Sequence, residues 1–188
     1  IKPGHAETVS SATALALDVA GIAIVGLGSG TARPTFTLDT ANTTTLAVSA
    51  ASITVSNLLF IGNFLSIASV FTLTTAKDFV VDNCEFRDTS AILGFLSIIT
   101  TSATANAADG LVFTKNAVKS DATTTPGPAI VIAGTLDRLD VSDNKIVHTT
   151  ASNNIAALIE HGALVVSSAI VSWNNVYSVN TDTATGAL

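Results

Sequence analysis

Large charged and aromatic side chains are scarce in this sequence: 12% of its 188 residues are Asp, Glu, Lys or Arg, 5% are aromatic, and Met is missing altogether. Eight Lys and Arg against fourteen Asp and Glu give a net charge of −6, with no basic cluster. That balance disfavours nucleic-acid binding through phosphate neutralisation. The single cysteine, Cys84, excludes an intramolecular disulfide. At an inward or turn position of its segment it reads as a buried structural thiol. Apolar runs such as Gly21–Gly28 and Leu93–Ile99 fall far short of the roughly 18 to 20 residues that a spanning helix needs. One Trp and one Tyr cannot furnish the aromatic girdles of a membrane barrel, so no membrane span is expected. The chain starts at Ile1 without Met, in what reads as mid-strand, and a preceding segment is therefore expected.

The sequence does contain Thr, Ser, Ala, Val, Ile and Leu in abundance, arranged in one recurring register. The stretch Leu139–Ile146, LDVSDNKI, is its template. Taking the middle apolar residue as origin aligns Ile24, Val55, Val81, Phe113, Val141 and Val171, separated by 31, 26, 32, 28 and 30 residues. Two residues earlier stand Ile22, Ile53, Phe79, Leu111, Leu139 and Ala169. Five residues later stand Ser29, Phe60, Phe86, Val118, Ile146 and Val176, of which only Ser29 is polar. Each unit is preceded by a further short apolar strand: Leu15/Leu17, Leu46/Val48, Phe71/Leu73, Ile98/Ile99, Ile130/Ile132 and Leu164/Val166. A local conformation revisited about every 29 residues is the signature of a solenoid, and small and β-branched residues suit stacked strands.

Three short strands per unit is the parallel β-helix plan. Leucine-rich repeats would keep a fixed Leu-Asn frame, a β-sandwich would space its strands by 8 to 12 residues, and no helical period is sustained. Unequal unit lengths place insertions at Asp88–Leu93, Thr100–Asp109, Ser120–Pro128 and Thr149–Ile155. The expectation is an all-β, parallel β-helix solenoid of about six coils, one domain over 1–188: an N-terminal turn and strand in 1–14, coils in 15–178 and a C-terminal tail in 179–188. The origin residues form its buried ladder. Three places after the origin, Asn116, Asn144 and Asn174 fall in consecutive coils, where stacked amides and the left-handed turn conformation are expected. Asn57 and Asn83, one place earlier, are expected to turn the corner likewise.

The segments PGHAET (Pro3–Thr8), GIAIVGLG (Gly21–Gly28) and VDNCEFRDTS (Val81–Ser90) resemble the right-handed β-helix proteins of the pectate-lyase-like superfamily, and within it virion-associated β-helix proteins of tailed bacteriophages. The resemblance covers nearly the whole chain and speaks more to fold than to function. It implies a right-handed coil whose N-terminal capping segment is missing here. It also implies a non-enzymatic virion structural protein: head decoration or cement, fibre, or tail-associated β-helix, located on the particle surface. Its partners would be other capsid or tail proteins and further copies of itself, as a trimer. The alternative is a polysaccharide-binding or polysaccharide-degrading, lyase-like spike, with a host glycan as partner.

The residues available for such chemistry do not assemble into a motif. A lyase needs a base and a cation for the uronate, and the basic residues are Lys2, Arg33, Lys77, Arg87, Lys115, Lys119, Arg138 and Lys145. Arg87 beside Glu85, and Arg138 between Asp137 and Asp140, read as surface ion pairs. Asp137, Asp140 and Asp143 carry the oxygen ligands that calcium takes, but Asp140 alternates away from Leu139 and Val141 and reads as solvated. Asn180-Thr181-Asp182 has the form of part of a polygalacturonase motif without its partners. His148 and His161 stand without a nucleophile motif, and His5 next to Glu7 reads as a turn cap. Thr35-Phe-Thr37, Thr72-Leu-Thr74 and Thr43–Thr45 suggest an ice-binding array, which the other units do not continue. No catalytic, metal or cofactor residue is assigned, and no cofactor is expected.

Overall fold

The computed structural model describes residues 1–11, 14–120, 128–148, 158–161 and 165–178. Alternating apolar and polar residues, interrupted every few positions by Ser, Asn, Asp or Gly, leave room only for strands of two to four residues. Every such strand pairs in parallel with the strand one repeat away. A first sheet stacks Ala6–Val9, Thr35–Leu38, Leu59–Gly62, Glu85–Asp88, Ala117–Ser120, Lys145–His148 and Asn175–Ser178. The second stacks Ala16–Leu17, Leu46–Val48, Phe71–Leu73, Ile99–Thr101, Ile130–Ile132 and Ile159–His161. The third stacks Ala23–Val25, Thr54–Ser56, Val80–Asp82, Val112–Thr114, Leu139–Ser142 and Ala169–Ser172. The chain visits the three sheets in rotation, so the molecule is a parallel β-solenoid. Six layers at a strand spacing of about 4.8 Å span about 24 Å. Among the described residues the only helical element is the 3-10 turn Gly30–Ala32, and no helix is long and apolar enough to cross a membrane.

The core lies inside the three sheets. Ile24, Val55, Val81, Phe113, Val141 and Val171 are register partners in the third sheet. The middle four are buried, Ile24 is half-buried and Val171 is exposed in the last coil. Phe36, Phe60 and Phe86 stack face to face along the first sheet, at 5.8 and 5.3 Å between ring centroids, and Phe113 of the third sheet continues the pile at 6.2 Å. Phe71 meets Phe60 edge-on at 5.2 Å. Each fully buried Phe contributes roughly 1.5 to 3 kcal/mol relative to exposure, with a further increment from ring geometry.

Two columns of left-handed residues turn the corners. Between the second and third sheets the column is Gly21, Ser52, Asp78, Gly110 and Arg138, with φ between 54 and 78°. Between the third and first sheets it is Asn57, Asn83, Lys115, Asp143 and Trp173, with φ between 51 and 58°. Asn57 and Asn83 thus turn the corner as expected, but Asn116, Asn144 and Asn174 do not adopt that conformation. In the later coils the left-handed residue is one place earlier, so Asp143 turns the template coil and Asn144 points inward. From the second coil onward this corner always has two residues, which holds the inward position after it in constant register.

Two further assignments change, and the N-terminal strand is located. Ser29 is not part of the first-sheet column: the chain loops out over 26–34, and Phe36 pairs with Phe60 instead. Asn57 holds that loop by donating its Nδ2 to the carbonyls of Gly26 and Gly28, at 2.7 and 2.9 Å. The strand expected within 1–14 is Ala6–Val9, in register with Thr35–Leu38 and with Val9 buried. In the sixth coil the second-sheet strand is Ile159–His161, paired with Ile130–Ile132, while Val166 forms a single bridge to Leu136 at the corner. Leu164, residues 179–188, residues 121–127 of the insertion Ser120–Pro128 and the whole of the insertion Thr149–Ile155 lie outside the described residues.

Candidate functional site

Among the described residues Thr44, Ser69, Ser97 and Thr101 are buried polar side chains of the second-sheet side, and two further polar columns enter the solenoid interior. The first is the column following the left-handed corner, Leu58, Cys84, Asn116, Asn144 and Asn174. Each Asn Oδ1 accepts the backbone N–H of the equivalent residue one coil earlier: Asn116 from Cys84 (2.8 Å), Asn144 from Asn116 (2.9 Å) and Asn174 from Asn144 (3.0 Å). The amide Nδ2 atoms donate to the carbonyls of Val81, Phe113 and Val141 at 3.0, 2.8 and 2.7 Å. A strand leaving a sheet frees one N–H and one C=O per coil, and the Asn side chain satisfies both. The column is scaffold. Cys84 occupies it with a buried thiol that burial pushes up to about 12, an unreactive sulfur.

The second is the last inward position of the first sheet, Leu38, Gly62, Asp88, Ser120 and His148. Leu38 pairs with Gly62, Gly62 with Asp88, and Ser120 with His148. The alternation that buries Phe86, Val118 and Ile146 also turns Asp88, Ser120 and His148 inward, two residues further on. The Asp88 carboxylate accepts the Ser120 hydroxyl at 2.6 Å and the Phe95 N–H at 3.0 Å. It fits because residue 94 is glycine: a Cβ there would lie 2.2 Å from the carboxylate. His148 is 1% exposed, and neither ring nitrogen has a hydrogen-bond partner. Its ring lines a cavity of about 30 Å³ together with Asp88, Ser97, Ser120 and the apolar walls Phe86 and Phe95.

Asp, Ser and His in one column invite comparison with a catalytic triad, and the connectivity decides against it. In a triad the imidazole stands between hydroxyl and carboxylate and receives the hydroxyl proton. Here the hydroxyl stands between the other two and already donates to the carboxylate. The arrangement leaves the imidazole without the hydroxyl proton and does not prepare a nucleophile.

On the outside of the third sheet, Asp78, Val80, Val112, Arg138, Asp140 and Ile170 line a shallow hollow of about 390 Å³. Arg138 pairs with Asp78 at 3.3 Å, two coils away, rather than with its sequence neighbours Asp137 and Asp140. The reach passes over Gly110, where a Cβ would stand 2.2 Å from Asp78 Oδ1. No family model, curated protein or solved structure matches this chain.

The remaining candidate residues are dispersed. Arg87 pairs with Glu85 at 2.6 Å, and Arg33 reaches the same Glu85 at 3.6 Å. Lys77 faces Asp109 and Lys115 faces Asp82, at 3.6 and 3.8 Å. Asp137, Asp140 and Asp143 occupy a corner, a sheet face and the opposite corner; Asp140 accepts the Ser142 hydroxyl at 2.8 Å. Among the described residues no group of three or more His, Cys, Asp or Glu side chains could hold a metal ion. His5 lies 3.5 Å from Glu7, and His161 pairs in register with Ile132. Thr72 and Thr100 are register partners flanked by Ala47 and Val131; their hydroxyls meet those of Thr45, Ser69 and Ser97 at 3.0 to 3.1 Å. Asn180-Thr181-Asp182 lies outside the described residues. The Asp88–Ser120–His148 column stands seven residues after the origin in each repeat, two beyond the apolar position that ends the template, and the same register brings it to light.

Proposed function

We propose that this chain is a non-enzymatic structural module of a tailed-phage particle, a rigid β-helical element of the head surface, fibre or tail. The observation that carries this reading is the distribution of exposed apolar side chains. Ile1, Val19, Ile22, Val25 and Leu27 belong to the first coil, and Val165, Ile170, Val171, Trp173, Val176 and Tyr177 to the last. Among the described residues only Leu65 and Ile92 break that rule. A solenoid buries the faces of its inner coils on one another and leaves its terminal faces for other surfaces. Such an element suits joining subunits end to end or side by side, and its polar sides are rich in small Thr, Ser and Asn. The partners in this reading are other virion proteins and further copies of the chain, with a trimer as the expected self-assembly by analogy with phage spikes.

The test is direct. Mass spectrometry of purified phage particles should find the chain, and multi-angle light scattering of the isolated protein should give a mass above the 19.0 kDa of one chain. A monomer in solution together with absence from the particles overturns the proposal. The alternative, a spike that binds or cleaves host polysaccharide, draws support from one feature, the hollow holding Asp78, Arg138 and Asp140. Retention on a host-polysaccharide column, lost in Arg138→Ala, would favour it.

A further inference from the structure

We propose that Asp88, Ser120 and His148 form the protein half of an internal hydration site, in which ordered water joins the imidazole to the hydroxyl–carboxylate pair. The argument starts from an imbalance in the column. Leu38 and Gly62 continue the apolar interior through the second and third coils, and then three consecutive coils place polar groups at the same inward position. Asp88 is answered, by the Ser120 hydroxyl and the Phe95 N–H. His148 is not: it is 1% exposed with both nitrogens unpaired. A buried donor or acceptor left unsatisfied is strongly disfavoured, and a neutral imidazole carries one of each.

The cavity beside the ring has the size and polarity to answer both. Its volume of about 30 Å³ exceeds the roughly 10 to 15 Å³ of probe-occupied space that one water requires. Water donates and accepts at once, so a single molecule can receive the imidazole N–H and donate to Ser120 Oγ, whose own proton points to Asp88. A second can donate to the other ring nitrogen. The result is a relay, imidazole to water to hydroxyl to carboxylate, walled by Phe86 and Phe95. A metal ion suits the site less well, since the Asp88 oxygens already accept two hydrogen bonds.

The experiment uses the full chain, labelled with 15N and 13C. Water-selective NOE spectra should show cross-peaks from long-lived water to the His148 ring protons, unchanged by EDTA. Ser120→Ala should remove or shorten the lifetime of that water while circular dichroism keeps the β signal. His148→Leu should lower Tm by about 4 °C, the size expected for losing one satisfied polar site in a chain of this length. A His148→Leu variant that melts higher than the parent means the imidazole was buried dry and overturns the proposal. So does the lack of any water cross-peak in the parent, and so does a Tm that drops on EDTA treatment, which would assign the cavity to a metal ion.

Discussion

In the inward Asn column a single side chain satisfies two backbone groups. Asn144 answers the Asn116 N–H and the Phe113 carbonyl at once, so Asn144→Leu orphans two buried backbone groups. A loss of about 2 to 4 kcal/mol in urea unfolding is expected, against under about 0.5 kcal/mol for an exposed substitution such as Lys145→Gln. Cys84 gives a prediction in pH. Unfolded, its thiol titrates near the ordinary 9.0; folded, burial raises it to about 12. Between those values the unfolded chain has released a proton that the folded chain keeps, so stability falls as pH rises from 9 towards 12. The slope is at most about 1.4 kcal/mol per pH unit, and urea midpoints across that range in the parent and in Cys84→Ala, where the slope flattens, check it. The Asn residues are legible in the sequence as a column, but their backbone conformation is not: the left-handed corner lies one residue before each of them, at Lys115, Asp143 and Trp173. Periodicity identifies a position and says nothing of its φ. The true corner column, Asn57, Asn83, Lys115, Asp143 and Trp173, mixes side chains too unlike to announce a shared backbone conformation.

At the scale of elements, the strands were legible because inward residues must be apolar in every coil, and the loops were not. Five residues after Ile24 the chain would reach the first sheet only across a two-residue corner, and Ser29 does not follow one; the first coil has the longer excursion 26–34 before Phe36 reaches its place. The segment after Glu85–Asp88 shows how closely a loop can be tied to a strand. Gly62 faces Gly94, where a Cβ on residue 62 would come within 2.9 Å of the Gly94 Cα, and a Cβ on residue 94 would strike the Asp88 carboxylate. Gly94→Ala should therefore destabilise by about 1 to 3 kcal/mol. In an Asp88→Ala background the same substitution should cost markedly less. A double-mutant cycle by chemical denaturation measures the coupling, and independent, additive effects would show that the carboxylate is not what Gly94 accommodates.

The whole molecule behaves as a one-dimensional stack, in which backbone pairing joins each coil only to the coils above and below; among the described residues the long Arg33 and Arg138 side chains reach a coil further, to Glu85 and Asp78. Its aromatic pile runs from Phe36 to Phe113, through the middle coils, while inward Val171 and Val176 of the last coil remain 53% and 37% exposed. Amide hydrogen exchange should be slowest in Phe60, Phe86 and Phe113 and faster by orders of magnitude in Ala169–Ser172, grading along the axis. Uniform protection in every coil would contradict that picture. This scale was the most legible from sequence, since the repeat interval alone specifies the stack. Function was the least legible, because the ladders record how coils meet one another and not what meets the outermost two.

The invariant two-residue corner between the third and first sheets makes every coil from the second onward interchangeable at that seam. Joining Asp82 directly to Lys115 removes residues 83–114, one complete turn, and leaves each remaining side chain facing the way it faced before. The shortened chain should fold to a parallel β solenoid with a lower Tm, seen by circular dichroism. Length is then a free variable of this architecture: unequal exchange between neighbouring repeats can lengthen or shorten the rod by whole turns without redesigning its interior.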